Sequence, residues 1–305
     1  MKRLPHKSIR VFLTESCNAN CMNCFNKSAR TDSEMNIEDF DRLCKYLIEA
    51  DFTSLKIMGG EPTTHTCFSD MISIAQHYFR NIAIFTNAIN DCITKITPRE
   101  KDVIVYNMNF EPSLTPEKIM TEKPGKRTIK IQINERSNVD QILSMIYKWR
   151  AIDKRVKPSF TFDCMTNIFE HKTYLTSCIS SLEEVLSEKD IPYDFDHRVP
   201  LCFLLGCKEK MSYPGGICKV ENSGLIDSSL NLRYCNQHHD KVLNLVKGGS
   251  FIDWEIAKNY LLKYYYQQQI QIMDQGCINC RLFGDYCNGG CWGKFMASNN
   301  KQVVF

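Results

Sequence analysis

Two hydrophobic rhythms alternate over the first 190 residues. Ser8–Thr14 (SIRVFLT) is a short run of β-branched and aromatic residues that predicts a first strand. Asn36–Ala50 (NIEDFDRLCKYLIEA) has helical spacing: Ile37, Phe40, Leu43, Cys44 and Leu47 fall on one face, and Asn36 stands where an N-cap is needed. Ser54–Met58 predicts a second strand and Phe68–Phe79 a helix. Ile82–Thr86 predicts a third strand with a helix after it. Asp102–Asn109, Arg127–Asn134 and Lys157–Phe162 supply three more strands, and helices near Val139–Arg150 and Thr173–Lys189 follow the last two. Six βα units in series predict an α/β fold with a parallel sheet or open barrel, a partial (β/α)6 TIM-like barrel. Folds of this kind carry their chemistry at the C-terminal ends of the strands.

The rhythm breaks after about residue 190. Helix periodicity fades, while cysteine, glycine and turn residues rise. One long helix is predicted over Ser250–Met273, with Ser250 as its cap. The rest reads as loops organised by metal rather than by an apolar core. Two regions follow: a barrel over 1–195 and a Cys-rich domain over 196–305.

Composition narrows the class. The chain has 305 residues, enough for a barrel-sized domain and a smaller second one. A net charge of +3 is too small to argue for nucleic acid. No apolar run approaches the ~18 residues of a membrane span. Met1–Lys7 is basic but runs straight into the first strand, without the apolar core and cleavage site of a signal peptide. The expectation is a cytoplasmic protein. There, sixteen cysteines read as metal ligands rather than disulfides.

Three of them form Cys17-Asn-Ala-Asn-Cys21-Met-Asn-Cys24, a C-x3-C-x2-C loop just after the first strand. Three thiolates can hold three irons of a cubane and leave the fourth open to a cofactor or substrate. A zinc site remains an alternative, although its fourth ligand is not local. One βα unit later, the second strand runs into Gly59-Gly60-Glu61-Pro62. Two glycines let backbone approach a ligand closely, and Glu61 offers a carboxylate to an ammonium group. Taken alone, the four residues are also a plain turn.

Together these residues resemble the radical S-adenosylmethionine (SAM) superfamily over residues 8 to about 190. The resemblance implies that Cys17, Cys21 and Cys24 ligate a [4Fe–4S] cluster whose open iron is chelated by SAM. It implies that Gly59, Gly60, Glu61 and Pro62 receive the SAM amino group. Thr86 and Asn87, after the third strand, match a family position near the SAM ribose and carboxylate, and the resemblance implies that Asn134, after the fifth, also faces SAM. One electron would cleave SAM to methionine and a 5′-deoxyadenosyl radical that takes hydrogen from substrate. Family members carry an aromatic residue just before the third cysteine; here Asn23 stands there, and Phe25 follows Cys24.

Cys277, Cys280, Cys287 and Cys291 are spaced C-x2-C-x6-C-x3-C, with Cys202, Cys207, Cys218 and Cys235 upstream. Spacing alone allows zinc ribbons as well as iron–sulfur clusters. After such a barrel, the region over about 200–295 resembles a SPASM/twitch auxiliary-cluster domain, which implies one or two auxiliary [4Fe–4S] clusters. In the two-cluster arrangement Cys218, Cys235, Cys291 and one of Cys202 or Cys207 hold one cluster, and Cys277, Cys280 and Cys287 the other. In the one-cluster form Cys218, Cys235, Cys277 and Cys280 make a single site. The SPASM pattern has a glycine where this chain has Leu230, and a final cysteine that is absent after Cys291.

Other candidates carry less. Cys44, Cys67, Cys92 and Cys178 read as core packing. Cys164 follows the sixth strand and is a candidate hydrogen donor to a substrate radical, against plain packing. His238-His239 reads as a solvated turn. The resemblance implies a peptide-modifying enzyme first: epimerisation, thioether formation or carbon–carbon crosslinking. A dehydrogenase of a small alcohol or a protein Ser or Cys side chain is the second reading, and a non-catalytic metal-binding scaffold the third. Expected partners are a peptide or small-molecule substrate and an electron donor such as flavodoxin or ferredoxin. Because the first strand starts near residue 8, a leader peptide would need another surface or a separate leader-peptide-binding protein. Nucleic acid and membrane are not expected.

Overall fold

The computed structural model describes residues 7–21, 24–27, 30–108, 124–162, 170–195, 203, 224–234, 240–269 and 281. Six parallel strands come first: β1 (Ser8–Phe12), β2 (Ser54–Met58), β3 (Asn81–Thr86), β4 (Val103–Asn107), β5 (Lys126–Ile133) and β6 (Lys157–Phe162). Between and after them lie α1 (Ile37–Glu49), α2 (Phe68–Tyr78), a four-residue α3 (Cys92–Lys95), α4 (Val139–Ile152) and α5 (Lys172–Glu188). They alternate as the hydrophobic pattern predicts, and β2 and β6 match it residue for residue. Asn36 caps α1, its side-chain oxygen accepting the Glu38 N–H at 2.8 Å. Asp51, at φ +63°, closes the same helix.

The strands form one α/β sheet, a partial (β/α)6 barrel, with additions at both edges. A short β7 (Asp194–Phe195) pairs parallel to β6. On the other side, β8 (Leu225–Ile226) pairs parallel to β1, and β9 (Asn231–Arg233) and β10 (Lys241–Asn244) follow it antiparallel. The order is β10-β9-β8-β1-β2-β3-β4-β5-β6-β7. One face is covered by the helices and holds the main core, with Ile9, Ile57, Ile84, Ile131 and Phe160 under the apolar stripes of α1, α2, α4 and α5. The alternate positions face the other way. There Phe12, Met58 and Leu225 form a separate apolar patch, with Phe25 and Phe85 packed on it.

The C-terminal part departs from its expectation. Residues 224–234 and 240–264 do not read as metal-organised loops: Leu232, Leu245, Trp254 and Leu261 belong to the barrel's own core. Nor does the last helix begin at Ser250. Ser250 lies in β12 (Ser250–Phe251), which pairs back on β11 (Val246–Lys247) across Gly248-Gly249. Both glycines have positive φ, which suits a tight hairpin turn. The helix α6 starts at Trp254 and is described to Gln269; Asp253 caps it by accepting the Glu255 N–H at 2.8 Å. The hairpin residue Phe251 stacks on Tyr46 of α1 (centroids 4.6 Å apart), and Trp254 meets Phe52 edge-on. Apolar periodicity alone did not register the two-residue strand before the helix.

Candidate functional site

The loop carrying Cys17, Cys21 and Cys24 is pinched at its base. Thr14 bridges Glu34, the Glu15 N–H donates to the Ser33 carbonyl (2.9 Å), and the Met35 N–H donates to Leu13 (2.8 Å). A buried His65 locks that base to the loop after β2. Its Nδ1 accepts the Cys67 N–H at 3.0 Å, so Nε2 carries the proton and donates to the Met35 carbonyl at 2.9 Å.

Gly59 and Gly60 lie against this base. The Gly60 N–H donates to the Thr14 carbonyl (2.9 Å) and the Glu61 N–H to that of Ser16 (2.8 Å). A Cβ on Gly59 would stand 2.3 Å from the Thr14 oxygen, and one on Gly60 2.0 Å from the Ser16 oxygen. The close approach predicted for the two glycines is therefore made to the chain's own cysteine loop. Among the described residues, no donor engages the Gly59 or Gly60 carbonyl.

Glu61 is buried, and its side chain serves the protein. One carboxylate oxygen accepts the Thr63 N–H (3.2 Å) and the Thr63 and Thr86 hydroxyls (both 2.7 Å). The other accepts the Asn87 N–H at 2.6 Å. Burial holds the carboxyl above its ordinary range, although these donors oppose the shift. Glu61 thus ties the end of β2 to the end of β3. Asn87 carries the tie onward: its amide donates to the Asn18 side chain at 2.8 Å, and its nitrogen lies 4.0 Å from the Cys17 sulfur. The expected carboxylate for an ammonium group is thus committed elsewhere.

The three thiols form one electrostatic unit. Arg30 donates to the Ala19 carbonyl (2.6 Å) and to the Cys24 sulfur (3.2 Å). The hydrogen bond from Cys21 pulls the Cys24 thiol down to about 5, against its burial and with help from Arg30. The same bond and burial push Cys21 up, and burial pushes Cys17 up. Among the described residues, no three Cys, His, Asp or Glu side chains close on a single-ion site. A cubane asks something different, since each thiolate takes its own iron. Two buried polar atoms beside the thiols, Arg30 Nε and Asn26 Oδ1, have no partner among the described residues. Three thiols, one cation and an unspent donor fit an anionic iron–sulfur cluster.

The structure therefore brings together Cys17, Cys21, Cys24, Gly59, Gly60, Glu61, Pro62, Thr86 and Asn87. The Asn134 side chain accepts the Arg136 N–H (2.9 Å) in the turn after β5. Cys44 and Cys178 are buried and Cys92 packs on the core as expected, but Cys67 does not join the core: it lies half-buried at the start of α2. Cys164, Cys202, Cys207, Cys218, Cys235, Cys277, Cys280, Cys287, Cys291 and His238-His239 lie outside the described residues. Sequence reasoning missed Glu15, Asn26, Arg30 and His65. Glu15, Asn26 and Arg30 flank the cysteine spacing within a few residues, which was the available signal for them.

Comparison with known proteins agrees with this geometry. A family described as "4Fe-4S single cluster domain" matches residues 7–110. A probable GTP 3',8-cyclase of Methanothermobacter marburgensis is 28% identical over 138 residues, 43% of this chain and 44% of the relative. One of Methanococcus maripaludis is 23% identical over 208 residues, 64% of each. The chain thus covers less than two thirds of the length of these relatives. Among solved structures, Streptococcus suis SuiB bound to precursor peptide SuiA superposes with a TM-score of 0.63 at 15% identity, covering 94% of this chain and 72% of SuiB. Native anSMEcpe with bound AdoMet and Kp18Cys peptide gives 0.60 at 13%, covering 93% and 89%. These two likenesses establish a shared fold.

Proposed function

We propose that this chain, a radical SAM protein, is an enzyme that holds a [4Fe–4S] cluster on Cys17, Cys21 and Cys24, binds SAM beside it, and abstracts hydrogen from a peptide. One observation carries the reading: the backbone junction of Gly59–Glu61 with Thr14–Ser16, which fastens the base of the three-cysteine loop to a strand end whose two glycine carbonyls meet no donor among the described residues. When bound, the cluster supplies the electron that splits SAM into methionine and a radical able to take hydrogen from carbon. The chain's own residues do the rest. Arg30 offsets thiolate charge. The Gly59 and Gly60 carbonyls are acceptors placed for an ammonium group. Glu61, Thr86 and Asn87 hold that loop rigid.

The substrate wall is the sheet face opposite the helices. Phe12, Met58, Phe85 and Phe25 make its dry part, near the cysteine loop. Across the sheet lie Asn107, Lys130 and Ser159, register partners on β4, β5 and β6, with Gln132 and Thr161 beyond. Lys130 stands 5.7 Å above the Phe85 ring, which places its cation on this face. Asn107, Lys130 and Gln132 are part-exposed there, with Ser159 and Thr161 buried beside them, and such hydrogen-bonding side chains suit the amides of a peptide. A peptide also fits the shared fold, since SuiB and anSMEcpe were both solved with peptides. In this reading the later cysteines, Cys202, Cys207, Cys218, Cys235, Cys277, Cys280, Cys287 and Cys291, hold one or two auxiliary clusters around a C-terminal segment that otherwise packs on the barrel.

The test is anaerobic reconstitution of the full chain with iron and sulfide, then SAM and dithionite. The reading expects 5′-deoxyadenosine and clearly more than about four irons per chain. Alanine at Cys17, Cys21 and Cys24 together should abolish the deoxyadenosine. No deoxyadenosine from the loaded wild-type chain would sink it. A short peptide encoded beside this chain should then change mass on incubation. The similarity to probable GTP 3',8-cyclases favours a second reading, a nucleotide substrate with Lys130 on its phosphates. Conversion of GTP, and none of the peptide, would select it.

A further inference from the structure

The cysteine loop is also held from a second side, by the C-terminal part of the chain. Arg233 of β9 is 5% exposed, and the groups it meets are as deeply buried: Glu15 at 3%, Asp227 at 2%, and Asn26, beyond Glu15, at 1%. Its Nη2 donates to Glu15 Oε1 at 3.0 Å and to Asp227 Oδ2 at 2.8 Å. Its Nε donates again to Asp227, at 3.0 Å. The free oxygen of Glu15 accepts the Asn26 amide at 2.8 Å. Asp227 is itself fixed by its own turn, accepting the Ser229 and Asn231 N–H groups at 3.0 and 2.9 Å.

The sequence positions give this network its meaning. Glu15 lies two residues before Cys17, and Asn26 two residues after Cys24. Arg233 lies two residues before Cys235. A hydrogen-bonded chain of three links, Asp227–Arg233–Glu15–Asn26, therefore grips the cysteine loop at both its ends from a hairpin about 200 residues along the sequence. The hairpin does not need the Glu15 contact for its own sake. Ladder pairing and the Asp227 turn already define it. Burying charges is also a poor way to gain stability, since desolvation offsets much of the attraction. What a forked guanidinium does supply is fixed geometry.

We propose that Arg233 is a positioning residue for the three-cysteine loop, acting through Glu15 and Asn26. The loop's grip on its cluster then depends on the β8–β9 hairpin being docked, so the N-terminal site is complete only with the C-terminal segment in place. This rests on the assignment of Cys17, Cys21 and Cys24 as cluster ligands.

The test uses the full chain, loaded anaerobically, then exposed to a ferrous chelator and an alkylating agent. Mass spectrometry follows each cysteine separately. In the wild type, Cys17, Cys21 and Cys24 should label slowly. In Arg233→Gln they should label roughly tenfold faster or more, while Cys44 and Cys178, buried in the core, stay protected in both. A double variant with Glu15→Gln should label no faster than Arg233→Gln alone, because both act through one contact. Should Arg233→Gln not fold, Arg233→Lys, which keeps the charge without the fork, carries the same comparison. Unchanged labelling of the three loop cysteines overturns the proposal, as does labelling that rises in step with Cys44 and Cys178. Immediate labelling of Cys17 in the loaded wild type overturns the cluster assignment instead.

Discussion

Gly60 lies so close to Ser16 that a Cβ on it would stand 2.0 Å from the Ser16 carbonyl oxygen. No side chain can move aside to relieve that contact, because both partners are backbone. Gly60→Ala must therefore push the cysteine loop off the end of β2. The sheet itself is not involved, so the helix and strand signature in far-UV circular dichroism should be unchanged. Iron bound after reconstitution should fall by about four per chain, and deoxyadenosine formation should be lost. Full iron content in Gly60→Ala would show that the junction does not position the thiols.

Much of the barrel was legible because its signals are local. The Ser54–Met58 and Lys157–Phe162 strands and the Asn36 cap depend on neighbours a few residues away. The cysteine spacing and the glycine pair were legible for the same reason. Their roles were only half so. Glu61 reads as a free carboxylate until the fold brings Thr86 and Asn87 onto it from 25 and 26 residues away. Glu15 and Arg233 are farther apart still, and nothing in the run NLRYC distinguishes a buried arginine from an exposed one. Long-range pairing of polar groups leaves no period in the sequence, so the structure had to supply it.

Glu61 accepts from four donors, the Thr63 and Asn87 N–H groups and the Thr63 and Thr86 hydroxyls. Glu61→Gln keeps the size but turns one acceptor into an NH₂ group facing a donor. The expected loss is about 2–3 kcal/mol of stability, read as a lower urea midpoint at neutral pH. If the carboxylate served a bound ligand instead, the midpoint of the empty protein would hold and only SAM binding would weaken.

Asp102 offers a pH signature far from the cysteines. It is buried and accepts from the Ile82 and Arg99 N–H groups, the Arg99 guanidinium and the Gln76 amide. Burial alone would raise its carboxyl, but Arg99 and the other donors outweigh it and hold the group below the usual carboxylate value. A depressed folded value means that the unfolded chain takes up the proton first as pH falls. The contribution of Asp102 is thus fully present above about pH 4 and is lost as pH drops through the folded value. Asp102→Asn should cost about 3 kcal/mol near neutral pH. The gap between variant and wild type should shrink steadily below about pH 4. Urea midpoints taken across that range check it; a constant gap would refute the linkage.

Leu230 holds a backbone conformation that favours glycine. Its φ is +61°, in the left-handed region that costs an L-residue about 1–2 kcal/mol. The position ends the Asp227–Leu230 turn that leads into β9 and Arg233, with the Leu230 N–H donating to the Asp227 carbonyl at 3.0 Å. The side chain offsets the strain by burial, being 7% exposed within the barrel core. Both Leu230→Ala and Leu230→Gly remove that packing, a loss of about 2–5 kcal/mol for the alanine change. Only the glycine also removes the strain. The usual order, in which alanine beats glycine by about 0.5–1 kcal/mol within regular structure, should therefore reverse: leucine most stable, glycine next, alanine last. Urea unfolding of the three proteins decides it. An alanine variant more stable than the glycine one would mean that the left-handed turn is not held in solution.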